Sequence, residues 1–288
     1  MHSKQTIHSI NIMSIGIENA IARPMASAES RNFERHALRE LCMFLSEYSA
    51  WLLGSGATCI RMERNINRMA ASMGCKAEMT ILPRHIHITV CSLDHKDSYT
   101  YIIATHAMPI SFEINTLLSK LSWQVADQNL SLEETKRRFE EIIKTKPANK
   151  YMVLLLASCA NASFCRLFSG DMKAVGVIFI STLIGFYLKQ VMTSAKVDTR
   201  LVFIICAFVS SVIAAGATLF SIGDTPEIAV STSVLYLVPG IPFLNSFSDM
   251  LDGHYICAFG RFLHAVILTC CLSLGLLGGM LLTNLSMF

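Results

Sequence analysis

Residues 151–288 carry six basic and six acidic side chains, against eighteen and fifteen in residues 1–150. Soluble domains are about one quarter charged, so the second half of this chain has the composition of a segment that lives in lipid. A helix needs about 20 apolar residues to cross a hydrocarbon core about 30 Å thick. Five runs reach or approach that length, at about 151–168, 172–190, 201–221, 228–248 and 260–286. A single soluble domain, a disordered chain and a disulfide-built miniprotein are excluded. The net charge of +3 is too small to argue for nucleic acid. The ten cysteines are scattered, and Cys159, Cys165, Cys206, Cys270 and Cys271 lie inside apolar runs. There they read as small reduced hydrophobes.

Loop charge sets the expected orientation. Lys144, Lys146 and Lys150 precede the first run, and Lys189, Lys196 and Arg200 stand between the second and third. The connection 221–227 carries Asp224 and Glu227 and no cation. Five spans with the N-terminus inside and the C-terminus outside satisfy this alternation. The first two runs are the shortest and also fit a re-entrant pair or a buried hairpin.

The fourth run contains Pro239-Gly240-Ile-Pro242, followed by Asn245, Ser246, Asp249 and Asp252-Gly253. Proline inside a helix removes a donor and clashes with the preceding turn, so a broken or kinked helix is expected here. Broken helices persist in bilayers where the freed backbone faces protein or a water-filled cavity. In many transporters such breaks contact the substrate, and a packing kink is the plainer alternative. Asp249 and Asp252, three apart, share a helical face. They suit either ion coupling or a solvated helix end. His264 is ionisable within the last run, and Arg261 reads as an interfacial anchor. The pathway candidates are therefore Pro239, Gly240, Asn245, Ser246, Asp249, Asp252 and His264.

Residues 1–30 read as a flexible N-terminal segment without the apolar core of a signal peptide. Residues 31–147 read as a small α+β domain, and 148–288 as the transmembrane domain. Apolar periodicity predicts helices over 33–53, 57–73 and 112–127, with strands at 77–82, 86–90 and 99–104. Ser131-Leu-Glu-Glu134 predicts a capping box opening a further helix. The Arg61, Arg64 and Arg68 stripe reads as a solvated face. His85 and His87 alternate on one strand face, too few for a metal site. No nucleophile, phosphate-loop or metalloprotease motif occurs, so neither an enzyme nor a cofactor is expected.

Two segments together carry a family resemblance. Leu53-Gly-Ser55-Gly56-Ala57-Thr58-Cys-Ile-Arg61-Met-Glu63, continuing to Arg68 and Gly74, resembles the SGA-x-T-x-R-V-E signature of the threonine/serine exporter family, with Met62 where valine is favoured. The Leu237-Val-Pro239-Gly240 segment resembles that family's broken membrane helix. The resemblance implies an α-helical membrane protein: a cytoplasmic α+β domain, then about five transmembrane helices, one broken at Pro-Gly. It implies the long YjjP-type subunit of a split secondary exporter in the bacterial inner membrane, with a short YjjB-type membrane partner. Its substrates would be small carboxylates, threonine and serine or C4-dicarboxylates such as succinate, with export energised by a proton or sodium gradient. Membrane lipid surrounds it, and assembly with further copies of itself is compatible. The alternative is a membrane-anchored ligand sensor or regulator, against which a broken polar helix argues.

Overall fold

The computed structural model describes residues 34–94, 96–106, 108–219 and 223–283. The expected N-terminal segment 1–30, the end of the third run at 220–221 and the end of the fifth at 284–286 lie outside the described residues. The chain divides into two compact units between Thr145 and Lys146.

In the first unit, helix α1 (34–54) leads through a tight turn into α2 (Cys59–Ser72). Strands β1 (Cys75–Ile81), β2 (His85–Ser92) and β3 (Ser98–Ala104) follow as an antiparallel meander in the order β1-β2-β3. The register pairs Ala77 with Val90, and Ile88 with both Met79 and Tyr101. Alternation along β2 buries Ile86, Ile88 and Val90. His85 and His87 fall on the opposite face, as period two requires. Helices α3 (Phe112–Gln128) and α4 (Leu132–Ile143) complete the unit. Leu45, Tyr48 and Leu52 of α1 are fully buried, with Met62, Ile66 and Met69 of α2 and Leu118 and Leu121 of α3. Each such side chain contributes about 1.5–3 kcal/mol by leaving water. Phe139 of α4 closes the core edge-on to Phe44, with ring centroids 5.6 Å apart.

The capping serine forms half of its expected box. Ser131 Oγ accepts from Glu134 N–H at 3.3 Å. The Glu134 carboxylate turns forward instead, to Arg137 and Arg138 at 2.8 Å each. Those two guanidinium hydrogen bonds hold its carboxyl well below the usual range, at about 2.

The second unit is all-helical among the described residues: α5 (Lys150–Leu167), α6 (Met172–Ser194), α7 (Thr199–Leu219), α8 (Pro226–Thr232), a 3₁₀ turn (Leu235–Leu237), α9 (Gly240–Leu251) and α10 (Tyr255–Leu282). Helices α6, α7 and α10 are long and apolar enough to cross a membrane, and the bent pair 227–237 plus 240–251 brings the count to four if it forms one span. The second run is thus longer than its uncharged core suggests. Asp171 caps α6 by accepting from Lys173 and Ala174 N–H, and Lys189 lies within the helix.

Helices α5 and α6 pack together, α6 on α7, and α10 on both α7 and α9. The α7–α10 seam is close because α10 presents glycine there. A Cβ at Gly275 would strike the Ile204 carbonyl, and one at Gly279 the Ser211 hydroxyl. Small residues at such contacts let backbones approach where lipid supplies no hydrophobic drive. Gly279→Val should therefore destabilise the unit by about 1–3 kcal/mol through overpacking. This would read as a lower unfolding temperature in detergent, while Gly216→Ala, with nothing within 4 Å of the new methyl, should leave it unchanged.

Candidate functional site

The Pro-Gly segment breaks the helix, and the two halves meet at 60°. The chain leaves α8 through the 3₁₀ turn, whose last amides are satisfied locally: Leu237 N–H donates to Val234 O at 2.9 Å and Val238 N–H to Leu235 O at 3.1 Å. Buried Pro239 precedes α9. Gly240 N–H bonds back to Val238 O at 2.8 Å, Pro242 has no N–H, and Phe243 N–H reaches Pro239 O at 3.3 Å. Ile241 is thus the one first-turn amide of α9 without a backbone partner among the described residues. A broken helix normally opens three or four donors toward an anion; this sequence satisfies or deletes most of them.

The far end of α9 turns sharply into α10. Gly253 adopts φ +85° and His254 N–H donates to Asp249 O at 2.8 Å, so the two helices form a hairpin. Ser246 is buried, and its hydroxyl donates to Ala258 O at 2.8 Å. Phe243 and Phe247 both meet Phe262 edge-on. Inside this hairpin the Asp249 carboxylate is fully buried and pairs with Arg261 Nη1 at 2.8 Å; Arg261 is 18% exposed.

Three of the residues singled out in the sequence gain a structural setting. Arg261, read as an interfacial anchor, is also the counter-charge of Asp249: α10 begins at Tyr255 and carries it about one turn and a half into the helix. Asp252 ends α9 as its C-cap and is exposed, so the two carboxylates do not share an environment. His264 lies on the exposed face of α10, away from the buried Ala265 and Leu268. Asn245 is half-buried on α9. Asp249 stands nine residues beyond Gly240, about 13 Å along the helix at 1.5 Å per residue. The break and the ion pair are therefore two separate features of one hairpin.

Sequence reasoning missed a buried polar seam between helices. Asn161 of α5 donates from Nδ2 to Thr182 Oγ1 of α6 at 2.7 Å and to Thr232 O of α8 at 3.3 Å. Its Oδ1 is buried without a hydrogen-bond partner among the described residues. Ser181 Oγ donates to Ser210 O at 2.9 Å, and Ser210 Oγ meets Tyr236 Oη at 2.9 Å beside the break. Lys189 sits between the rings of Phe186 and Phe203, 5.5 Å from each centroid, a cation–π arrangement. Scattered single Ser, Thr and Asn residues in apolar runs carry no periodic signal; only helix packing brings them together.

In the first unit, the family-like segment builds the α1–α2 turn and α2. Ser55 is buried, with its Oγ donating to Leu52 O at 2.8 Å and its carbonyl accepting from Ser111 N–H at 3.0 Å. Gly56 has φ +95°, and a Cβ there would lie 2.9 Å from Ile110, so both backbone and space require glycine. Ala57 is buried and Thr58 is the N-cap residue of α2. Glu63 is half-buried, and Gly74, at φ +69°, follows α2 directly. Arg61 Nη1 donates to Asn115 Oδ1 at 2.9 Å, and Arg68 Nη1 to Ser122 Oγ at 2.7 Å. Arg68 also lies 3.6 Å from the Trp123 ring centroid.

The family model described as "Putative threonine/serine exporter" matches residues 43–283, spanning both units. The chain belongs to the threonine/serine exporter family. Among curated proteins, "Probable succinate transporter subunit YjjP" of Klebsiella aerogenes is 25% identical over 255 residues, covering 88% of this chain and 96% of that protein. The protein of the same name from Escherichia coli K12 is 24% identical, covering 82% and 91%. No solved structure matches. Membership with these apolar helices makes the chain a multi-pass membrane transport protein rather than an enzyme, and the relatives' names describe a subunit.

Removing one partner of a buried ion pair leaves an uncompensated charge and costs about 3–5 kcal/mol. Arg261→Gln should accordingly lower the unfolding temperature in detergent more than the double variant Asp249→Asn/Arg261→Gln, in which two neutral amides replace the pair. Equal losses would show that the two charges are not coupled.

Proposed function

We propose that this chain is one subunit of a secondary exporter of small carboxylates in a bacterial inner membrane. Residues 31–147 form its cytoplasmic domain, and 148–288 form five spans, with α5 as the first. At 18 residues α5 is about 27 Å long, close to the hydrocarbon thickness. The cationic flanks Lys144–Lys150 and Lys196–Arg200 lie inside, and the acidic connection with Asp224 and Glu227 outside, as the positive-inside rule asks. The relatives' description as succinate transporter subunits supports a dicarboxylate as substrate and a second subunit as partner, which in this reading is a short YjjB-type membrane chain.

The observation that carries the reading is the buried Asp249–Arg261 pair in a hairpin whose other end is a broken helix. Buried charges are costly in a membrane protein, and ionisable groups that face its interior are transport-pathway candidates by default. With Asp249 ionised, Arg261 is neutralised internally. When Asp249 takes a proton, Arg261 loses its counter-charge and is available to a substrate carboxylate. Proton and substrate thereby occupy linked states of one pair, which is the requirement for coupling. Pro239 and Gly240 form the break, Asn245 lies on α9 between the break and the ion pair, and Ser246 fixes the hairpin.

The test is efflux from cells that lack native exporters, preloaded with labelled succinate or threonine and expressing this chain with and without the short partner. Efflux should require both chains. Asp249→Asn should abolish efflux per unit of inserted protein, the inserted amount being measured alongside because loss of one partner of the pair also costs stability. Normal efflux by that variant would remove the coupling role from Asp249.

A further inference from the structure

Helices α2 and α3 of the first unit enclose an open groove of about 600 Å³, lined by Arg61, Arg64, Arg68, Lys120, Trp123 and polar Thr, Ser and Asn side chains. From the geometry we infer that this groove of the first unit binds a small dicarboxylate, the exporter's own cargo. The ligand class rests on the exporter reading; the site itself rests on the placement of its cations and on the groups that hold them.

The groove is cationic from end to end. Arg61, Arg64 and Arg68 stand at positions i, i+3 and i+7 of α2, one face of a helix. Residues 116, 119, 120 and 123 of α3 form the facing wall. No carboxylate lines the groove, and among the described residues none of these four cations makes a salt bridge. Two of them are nonetheless held in place, by neutral acceptors. Buried Asn115 fixes the Arg61 guanidinium through its Oδ1. Buried Asn65 accepts from Arg68 at 3.2 Å through its Oδ1. Asn65 is itself oriented by Nδ2 donations to Tyr48 Oη at 3.1 Å and Ser119 Oγ at 3.3 Å. Tyr48 in turn donates its hydroxyl to Leu118 O at 2.8 Å, and burial pushes its phenol well above the ordinary range, so it stays a donor.

A carboxylate in the place of either asparagine would fix an arginine more strongly, but would cancel its charge. Amide acceptors orient the guanidinium and leave the charge for a ligand, which is the arrangement that bidentate carboxylate recognition needs. The groove also discriminates. A dianion can meet Arg61 and Arg64 at one end and Arg68 and Lys120 at the other. A zwitterionic amino acid would bring its ammonium into a groove with no acid to receive it. The first unit therefore selects dicarboxylates over threonine and serine.

The chain has two tryptophans, so Trp51→Phe leaves Trp123, which lines the groove, as the only indole. In the purified full-length Trp51→Phe protein in nonionic detergent, succinate should change the emission of Trp123 saturably, and threonine at equal concentration should not. Arg64 and Lys120 are exposed, and no ion pair or side-chain hydrogen bond among the described residues depends on them. Arg64→Gln/Lys120→Gln should therefore keep the fold and raise the half-saturating succinate at least tenfold. Arg64→Lys should retain the response. A flat response to succinate overturns the inference, as does a response to threonine of equal strength. Inorganic phosphate acting at the same concentration as succinate would overturn the carboxylate assignment. A response only to phosphatidylglycerol vesicles would assign the groove to lipid headgroups instead. Saturable binding without efflux would leave the groove standing and the exporter reading fallen; efflux with a flat Trp123 signal would do the reverse.

Discussion

A helix interrupted inside a membrane protein must satisfy every backbone group it frees, because hydrocarbon offers no substitute partner. The architecture of the second unit follows from how this chain meets that demand at Pro239. A 3₁₀ turn takes up the last amides before the break, Gly240 bonds back across it, and Pro242 removes a donor altogether. The 60° bend then sends α9 in a new direction. A twelve-residue helix cannot bury its own polar face, so it folds back on α10 through the Gly253 turn. Ser246, Phe243 and Phe247 stitch that hairpin, and within it two opposite charges become mutually accessible.

The Asp249–Arg261 pair is a consequence of the hairpin and also a burden on its stability. Desolvating both groups costs several kcal/mol, which their attraction offsets only in good geometry. A pair of apolar residues would hold the same helices together more securely. The proposed coupling role gives the two charges a task, to separate and reform, that an apolar pair could not perform. The interior seam of Asn161, Thr182, Ser210 and Tyr236 supplies the surrounding unit with polar groups that satisfy one another across helices, worth about 1 kcal/mol or less each in membranes. One acceptor, Asn161 Oδ1, is left over.

The first unit handles charge in the opposite manner. On its outer surfaces ion pairs are routine, as between Lys136 and Glu40 or Arg35 and Asp97. Along α2 and α3, however, arginines are held by asparagine and serine and their charge is not neutralised. The Arg61, Arg64 and Arg68 stripe looks like an ordinary solvated face when α2 is considered alone. Its meaning changes once α3 supplies Lys120, Trp123 and Asn115 from a segment about fifty residues away in the chain.

Much of this protein was legible in its residues alone. Charge density separated the two halves, apolar run length located the long helices, and strand alternation placed Ile86, Ile88 and Val90 inward, since these depend on local periodicity and solvation. The Pro-Gly-x-Pro break followed from the absence of an amide hydrogen on proline. The tertiary structure decided which polar groups meet. Spacing of three put Asp249 and Asp252 on one face, yet the helix ends between them and sends one to the core and one to the surface. Nothing local reveals that α10 starts six residues before Arg261 and folds against α9, which is what brings Arg261 to Asp249. Pairings across a hairpin, and convergence of single serines and asparagines from four helices, depend on packing between distant segments. No local pattern encodes them.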